Sequence, residues 1–434
     1  MLHKALATLI FIALILLAGL MIVSEKSLRS DSVYFLLQIF DGRWFHHDVP
    51  SIRLSNYLVQ LPLVLTLKLI PNLELSFARE IYSASYVVFI YAFAFFFLSE
   101  YFRKRSLYSI LALCVFFTTI LPGNNLVLNI ANETILWSLL LLKKYCDGRK
   151  NWSLNDVVAL LFIIFSYETS PVVILGFMAI EIKQVKAAKD FKNTGVLWLG
   201  GALVFTVLNL VRMAVVEETR KMPHMELYFR SLLEFLKMPA NYIHFLPCGV
   251  MAWLTLVRGI ALRKVRFIEI ILAIILTAYS LIIFQYGSTD SFSTAYFLRT
   301  ISVPLALLLV VFALHVQLRR LELFLAFIVV AHGLIDARAS LYHYEAWQTL
   351  KQKKEPGCIR IGDLEQDKLN ILFKGGIFGH SVALESIVRL SPEPHALYYD
   401  QNSRLLLDEK LRCKRRDLTL YGPTRRLSLG HLIK

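Results

Sequence analysis

The chain has 434 residues, 56% hydrophobic and 18% charged, with a formal net charge of +15 and a mean hydropathy of +0.56. That balance excludes an ordinary soluble domain of this size. The positive charge does not indicate nucleic acid either. Much of it lies in short clusters beside apolar runs, where it sets topology and meets anionic lipid, and no nucleic-acid-binding motif occurs.

Residues 5–23 form a first apolar span after Lys4. No small-residue cleavage site and no lipobox cysteine follows, so the segment reads as an uncleaved signal anchor with a cytoplasmic N-terminus. Basic clusters mark further cytoplasmic loops: Arg103-Lys104-Arg105, Lys143-Lys144 with Arg149-Lys150, the lysines of 183–192, Arg263-Lys264 with Arg266, and Arg319-Arg320. Between two such clusters the chain crosses an even number of times. This parity predicts spans at 107–121 and 126–142, and a pair of short helices at 157–165 and 172–182 that turn at 166–169. It then gives 196–216, 242–262, 268–286, 301–316 and 321–334. Each member of the short pair falls below the ~30 Å hydrocarbon core, so it is expected where the bilayer is thinned or a cavity is lined.

Towards the N-terminus, the same parity makes 87–102 run inward after a first helix that runs outward. Residues 57–70 then cannot cross. They are expected as an interfacial or re-entrant helix on the outer face, broken by Pro62 and carrying Gln60 and Lys68. Lys26 and Arg29 fall outside, where a phosphate-handling site wants cations. The expected fold class is therefore an all-α polytopic membrane protein of about eleven transmembrane helices. Residues 1–339 form its membrane domain, with 24–80 as first outer loop, and 340–434 form a small α/β extracytoplasmic domain.

That tail carries strand-like runs at 358–361, 371–373 and 396–399, a helix-like run at 382–390 and a basic patch at 412–416. It reads as a cap over the site, a contact for the acceptor or a stabilising plug. Cys358 and Cys413 both lie in it, and a disulfide between them requires the oxidising side that parity assigns. Cys114, Cys146 and Cys248 read as packing residues or free thiols.

With this topology the polar groups gather on the outer side. They are Asp31 and Asp41 in the first loop, Asn129, Asn132 and Glu133 in one helix, and Tyr167 and Glu168 at a turn. Arg212, Asp290, Tyr296, Arg299, His332, Asp336 and Arg338 complete the set. Ionisable groups at membrane depth are costly and mark a pathway or a site. Asp31 fits an N-cap for a helix starting at Ser32 as well as it fits catalysis. Asp41, in Asp-Gly-Arg, suits a turn. Glu133 and Glu168 suit a buried network or the headgroup layer as well as a site. Arg299 at a helix start opposes the dipole, which points to an anionic partner. His46-His47-Asp48 has the composition of a metal cluster, yet adjacent histidines rarely converge on one ion, so no metal is expected. No Ser/His/Asp order, Gly-rich phosphate loop, CxxC or HExxH motif occurs.

Four motifs follow one another in the first quarter of the chain: Asp31-Ser32-Val33-Tyr34, Asp41-Gly42-Arg43-Trp44-Phe45, Gln60-Leu61-Pro62-Leu63 and Phe77-Ala78-Arg79-Glu80. In this order they resemble the GT-C superfamily of membrane glycosyltransferases, most of all the branch of bacterial aminoarabinose transferases and protein O-mannosyltransferases. Those proteins carry an acidic pair just after the first helix, then a Tyr and a Gly-x-Trp-like turn. An Arg/Lys-Pro-Pro-Leu interfacial helix and an Ala-Arg-Leu motif opening the second span come next. Here Ser32 stands for the second acid, and one proline of the pair is present. Tyr167-Glu168, between two short helices, is similar to a further pattern of such proteins.

The resemblance implies a sugar carried on polyprenyl phosphate and transferred to a lipid, glycan or protein acceptor at the outer face of the bacterial cytoplasmic membrane. Asp31 is then the general base that deprotonates the acceptor hydroxyl. Arg43, Arg53 and Arg299 hold the lipid phosphate, whose negative charge grows as the glycosyl bond breaks. Glu133 and Glu168 orient sugar or acceptor, and Asp41 and Tyr167 complete the substrate-contacting set. No cofactor and no divalent metal is implied, and no DxD motif occurs. Two rival readings stay open. A transporter or lipid flippase needs polar residues in both membrane halves, and a non-catalytic scaffold of an envelope complex needs a tail that binds a partner.

Overall fold

The structure, a computed structural model, describes residues 2–25, 28, 31–45, 54–120, 129–149, 151–166, 170–188, 194–216, 322–352, 357–360, 396–399, 419–421 and 426–428. Within them the protein is mostly helical. The expected spans at 242–262, 268–286 and 301–316, and the runs at 371–373 and 382–390, lie outside the described residues.

Helix α1 (Leu2–Val23) and helix α4 (Leu75–Lys104) are long and apolar enough to cross a membrane. One face of α1 is buried through Ala7, Ile10, Leu14, Leu17 and Met21, at the three- and four-residue spacing of a helical stripe. Its other face exposes Leu9, Ile12, Ile15 and Leu16. A soluble protein rarely exposes so continuous an apolar stripe, whereas a lipid-facing helix requires it. α1 packs on α4 and on helix α10 (Glu322–Gln352).

α4 begins well before the expected residue 87. Arg79, Ser83 and Tyr86 recur at helical spacing on a buried face. The charge on Arg79 is neutralised by Glu25, just past the end of α1, with Nε and Oε1 2.7 Å apart. A polar stretch can therefore stay helical and buried. α4 ends at Arg105, which adopts the left-handed region (φ 50°) while its N–H bonds the Tyr101 carbonyl at 2.8 Å.

Between α1 and α4 lie helix α2 (Asp31–Gly42) and helix α3 (Leu54–Leu69). α3 is the helix expected at 57–70, and Pro62 sits inside it without ending it. Ser55, Val59, Gln60, Leu63, Val64 and Leu67 are buried, while Leu58, Leu61, Leu65 and Leu69 are exposed. Both faces are thus largely apolar. α2 and α3 pack on each other and on α4.

Helix α5 (Leu107–Val115) starts at Ser106, whose hydroxyl accepts the Ser109 N–H, and runs into a π-helical turn at Phe116–Ile120. It packs on α4 and α10. Helix α6 (Asn129–Cys146) packs on α7 (Leu154–Ile164), and α8 (Ser170–Ala188) on α9 (Thr194–Val216). The short pair expected at 157–165 and 172–182 is present as α7 and α8, with α8 running on to Ala188. α7 opens with a reciprocal capping box between Ser153 and Asp156, and Arg149 grips the Asp156 carboxylate with two nitrogens at 2.9 and 3.1 Å. Ser153→Ala should therefore cost about 1 kcal/mol, read as a lower unfolding temperature of the detergent-solubilised protein. An unchanged temperature would mean that the Arg149–Asp156 clamp alone holds this helix start.

α10 continues beyond residue 334, through residue 340, to Gln352. His332, Asp336 and Ser340 are all buried and recur every four residues. The loss of hydropathy there marks a polar seam on one face, not the end of a helix. In the tail, β1 (Gly357–Arg360) and β2 (Ala396–Tyr399) pair in parallel with Gly357 opposite Ala396, in place of the strand-like runs at 358–361 and 396–399. A parallel pair requires a crossover connection between its strands. β3 (Thr419–Tyr421) and β4 (Arg426–Ser428) form an unanticipated antiparallel pair.

Candidate functional site

Three parts of the chain that carry or adjoin predicted site residues are tied together around Trp137. The Leu54 N–H at the start of α3 donates to the Phe165 carbonyl at the end of α7, 3.1 Å away. The Trp137 indole N–H of α6 donates to the Ser55 hydroxyl at 2.9 Å. The Thr134 and Ser166 hydroxyls lie 2.7 Å apart, and Ser166 and Ser170 both donate to the Ile163 carbonyl, at 2.9 and 2.5 Å. The turn that precedes Tyr167 and Glu168 is thereby tied to α6 and, through α7, to the first loop.

Trp137 is the keystone of this arrangement. Its ring stacks on Phe162 with centroids 4.1 Å apart and meets the edge of Phe93 at 4.9 Å. One side chain therefore joins α3, α4, α6 and α7. A half-buried indole facing other helices needs an acceptor for its N–H, and Ser55 supplies it.

Glu133, one residue before Thr134, is fully buried and lies close enough to Tyr86 of α4 for the two to act on each other electrostatically. Arg79, Ser83 and Tyr86 lead along α4 from the Glu25–Arg79 pair towards Glu133. They form a buried polar seam within the first loop's end of the bundle. A second seam follows α10, where Asp336 interacts with Tyr91, whose hydroxyl lies 3.3 Å from the Met21 sulfur.

The remaining predicted residues are placed as follows. α2 starts at Asp31 itself, one residue ahead of the expected Ser32. Asp41 and Arg43 are exposed at the end of α2, with Arg43 in the left-handed region (φ 50°). The neighbouring Trp44 lies under the Lys68 ammonium, 4.0 Å from the ring centre, and Phe45 packs edge-on against Tyr57. Partial burial raises the Tyr57 phenol above its ordinary pKa. Asn129 and Asn132 lie in α6, Arg212 in α9, and Arg338 is exposed on α10. Cys358 lies in β1. Arg53, Tyr167, Glu168, Asp290, Tyr296, Arg299, Cys413 and the His46-His47-Asp48 cluster lie outside the described residues. Among the described residues no group of three or more His, Cys, Asp or Glu could hold a metal ion.

The opposite end of the helices holds a charged network that the sequence reading did not find. Lys143 pairs with Glu100 (3.2 Å) and Asp147, and Glu100 also with Lys104 (3.2 Å). Lys144 and Glu181 form a fully buried ion pair at 3.1 Å. The Lys144 ammonium also lies over the rings of Tyr145 and Trp152, at 4.3 and 5.1 Å. Lys143 and Lys144 were expected to meet solvent and lipid headgroups. Their ammonium groups instead neutralise carboxylates of the protein's own helices.

Comparison with known proteins adds nothing to this geometry: no family model, no curated protein and no solved structure matches the chain.

Proposed function

We propose that the chain is a membrane glycosyltransferase of GT-C type, with about eleven transmembrane helices and an outer-face interfacial helix, α3. It takes a sugar from a polyprenyl-phosphate donor at the outer face of the bacterial cytoplasmic membrane and passes it to an acceptor hydroxyl. The observation that carries the reading is the set of hydrogen bonds that ties the start of α3, next to Arg53 in the chain, to the Glu133–Thr134 segment of α6 and to the Ser166 turn, next to Tyr167 and Glu168. These segments adjoin predicted site residues in the chain, and the Asp31 and Asp41 motifs lie on α2, which packs on α3 and α4. The exposed apolar stripes of α1 and α9 support the membrane setting.

In the proposed reaction the acceptor oxygen attacks the anomeric carbon as the bond from that carbon to the phosphate oxygen breaks. Asp31 takes the hydroxyl proton, and polyprenyl phosphate leaves as the anion. Arg43, Arg53 and Arg299 balance the charge that grows on the phosphate. A leaving phosphate needs little acid assistance, so one carboxylate base suffices. Glu133, Glu168, Asp41 and Tyr167 orient the sugar and the acceptor.

The transporter reading is favoured by one observation, the buried Lys144–Glu181 pair at the other end of the helices. That pair is closed on itself by Tyr145 and Trp152, which suits a structural clasp better than a permeation path. The test is to compare envelope glycans and lipid-linked sugars by mass spectrometry in wild type, a deletion strain and Asp31→Asn at matched protein levels. Loss of one glycan with accumulation of its lipid-linked donor is expected in both altered strains. Unchanged glycans in both would sink the transferase and leave transport as the better reading.

A further inference from the structure

We propose that the cleft between α1 and α4, at the end where α1 begins and α4 finishes, binds an acidic phospholipid. The inference rests on these helices lying in a membrane and is independent of glycosyl transfer. The cleft has a volume of about 420 Å³, within the ordinary range for a ligand pocket. It is lined mainly by Ala7, Thr8 and Phe11 of α1 and Phe95, Ser99 and Phe102 of α4.

The cleft is layered along its length. At its mouth the Lys4 ammonium stands 5.8 Å from the centre of the Phe102 ring, and Arg103 and Lys104 follow Phe102 directly. Lys104 is shared with Glu100 at 3.2 Å, so Lys4 and Arg103 are the cations assigned to a phosphate. One helical turn deeper come the hydroxyls of Thr8 and Ser99, residues four positions from Lys4 and Arg103. The Thr8 hydroxyl is used as a donor to the Lys4 carbonyl at 3.0 Å, so Ser99, which lines the cleft, is the hydroxyl assigned to an ester carbonyl. Deeper still, Phe11 and Phe95 meet edge to face with centroids 5.7 Å apart and present carbon alone.

Cations, then hydroxyls, then aromatic carbon is the order of a glycerophospholipid: phosphate, ester linkages, acyl chain. A neutral lipid leaves the cations without an anion, and free phosphate leaves the apolar cleft unfilled. The cation-rich end of the bundle is also the end that the positive-inside rule turns towards the acidic leaflet.

The test uses the full-length protein in phosphatidylcholine vesicles containing a minor share of phosphatidylglycerol with a photoreactive acyl chain. Cross-links are mapped by mass spectrometry. They should concentrate on the peptides carrying Phe11 and Phe95–Phe102, and unlabelled phosphatidylglycerol should compete them away where extra phosphatidylcholine does not. Lys4→Gln and Arg103→Gln, both surface changes, should each lower labelling by about five-fold, the effect of about 1 kcal/mol per cation near an acidic surface. Ser99→Trp, which fills the cleft, should abolish it. Equal labelling by photoreactive phosphatidylcholine, insensitivity to both charge changes, or preferential displacement by inorganic or polyprenyl phosphate would each overturn the proposal. Asp31→Asn protein should label like wild type, which separates failure here from failure of the transferase reading.

Discussion

Lys144→Met is expected to destabilise the protein by roughly 3–5 kcal/mol, because it leaves the Glu181 carboxylate buried without its cation. Both side chains are fully buried and 3.1 Å apart, so water cannot replace the lost partner without opening the contacts among α6, α8 and α9. The neighbourhood has no slack. A Cβ added at Gly195 would collide with the Glu181 carboxylate and the Trp152 indole nitrogen. Gly195→Ala should therefore lower the unfolding temperature in the same assay by displacing the pair rather than by deleting it. The double variant Lys144→Met/Glu181→Leu removes both charges and should regain most of the loss, since an apolar replacement of a buried pair is often neutral. Thermal unfolding in detergent of the two single variants and the double variant gives the coupling directly. If both single variants unfold with wild type, the pair is hydrated in solution and the clasp does not exist.

How much of this was readable from the sequence depended on whether a residue's partner lay nearby in the chain. α1 was readable as a helix because an uninterrupted apolar run of this length, free of proline, satisfies its backbone hydrogen bonds within the segment. α3 was readable as a helix from its apolar content, even with Pro62 inside. The early start of α4 was not, because Arg79 counts against a buried helix until Glu25 is known to sit beside it. Lys144 misled for the same reason. A lysine in a basic cluster is normally solvated, and only the fold brings Glu181 of α8 to it across 37 residues of sequence.

Two signals were present but unread. His332, Asp336 and Ser340 repeat every four residues, the pattern of one helical face, yet the drop in hydropathy after Leu334 reads as a helix end. Trp137 stands in an apolar helix and must find an acceptor for its N–H, which marks it as a contact between elements before any partner is known. Its partner, Ser55, gave no such signal, because a serine at a helix start has many local roles. Asp31 is an intermediate case. The sequence supports both a helix-start role and a catalytic one, and the observed start of α2 at Asp31 is compatible with either.

Asparagine is the substitution that separates those two roles. Asn keeps the shape of Asp, and at the first position of α2 it loses only the favourable first-turn charge, so Asp31→Asn should lower overall stability by no more than about 1 kcal/mol. It cannot accept a proton at neutral pH, so turnover should fall by about 10²–10⁴-fold if Asp31 is the general base. The measurement is kcat for transfer from the lipid-linked sugar that accumulates in the Asp31→Asn strain, alongside the unfolding temperature. Because the substituted amide could still position the acceptor, KM should change much less than kcat. The acidic limb of the wild-type pH profile should also disappear, since no carboxyl remains at that position to protonate. Asp41→Asn serves as the comparison. Asp41 is exposed at the far end of the same short helix, and its loss should weaken substrate binding without removing that limb. Wild-type kcat in Asp31→Asn, together with a lower unfolding temperature in Asp31→Ala, would make Asp31 a structural residue of the first turn of α2 and return the search for a base to Glu133 and Glu168.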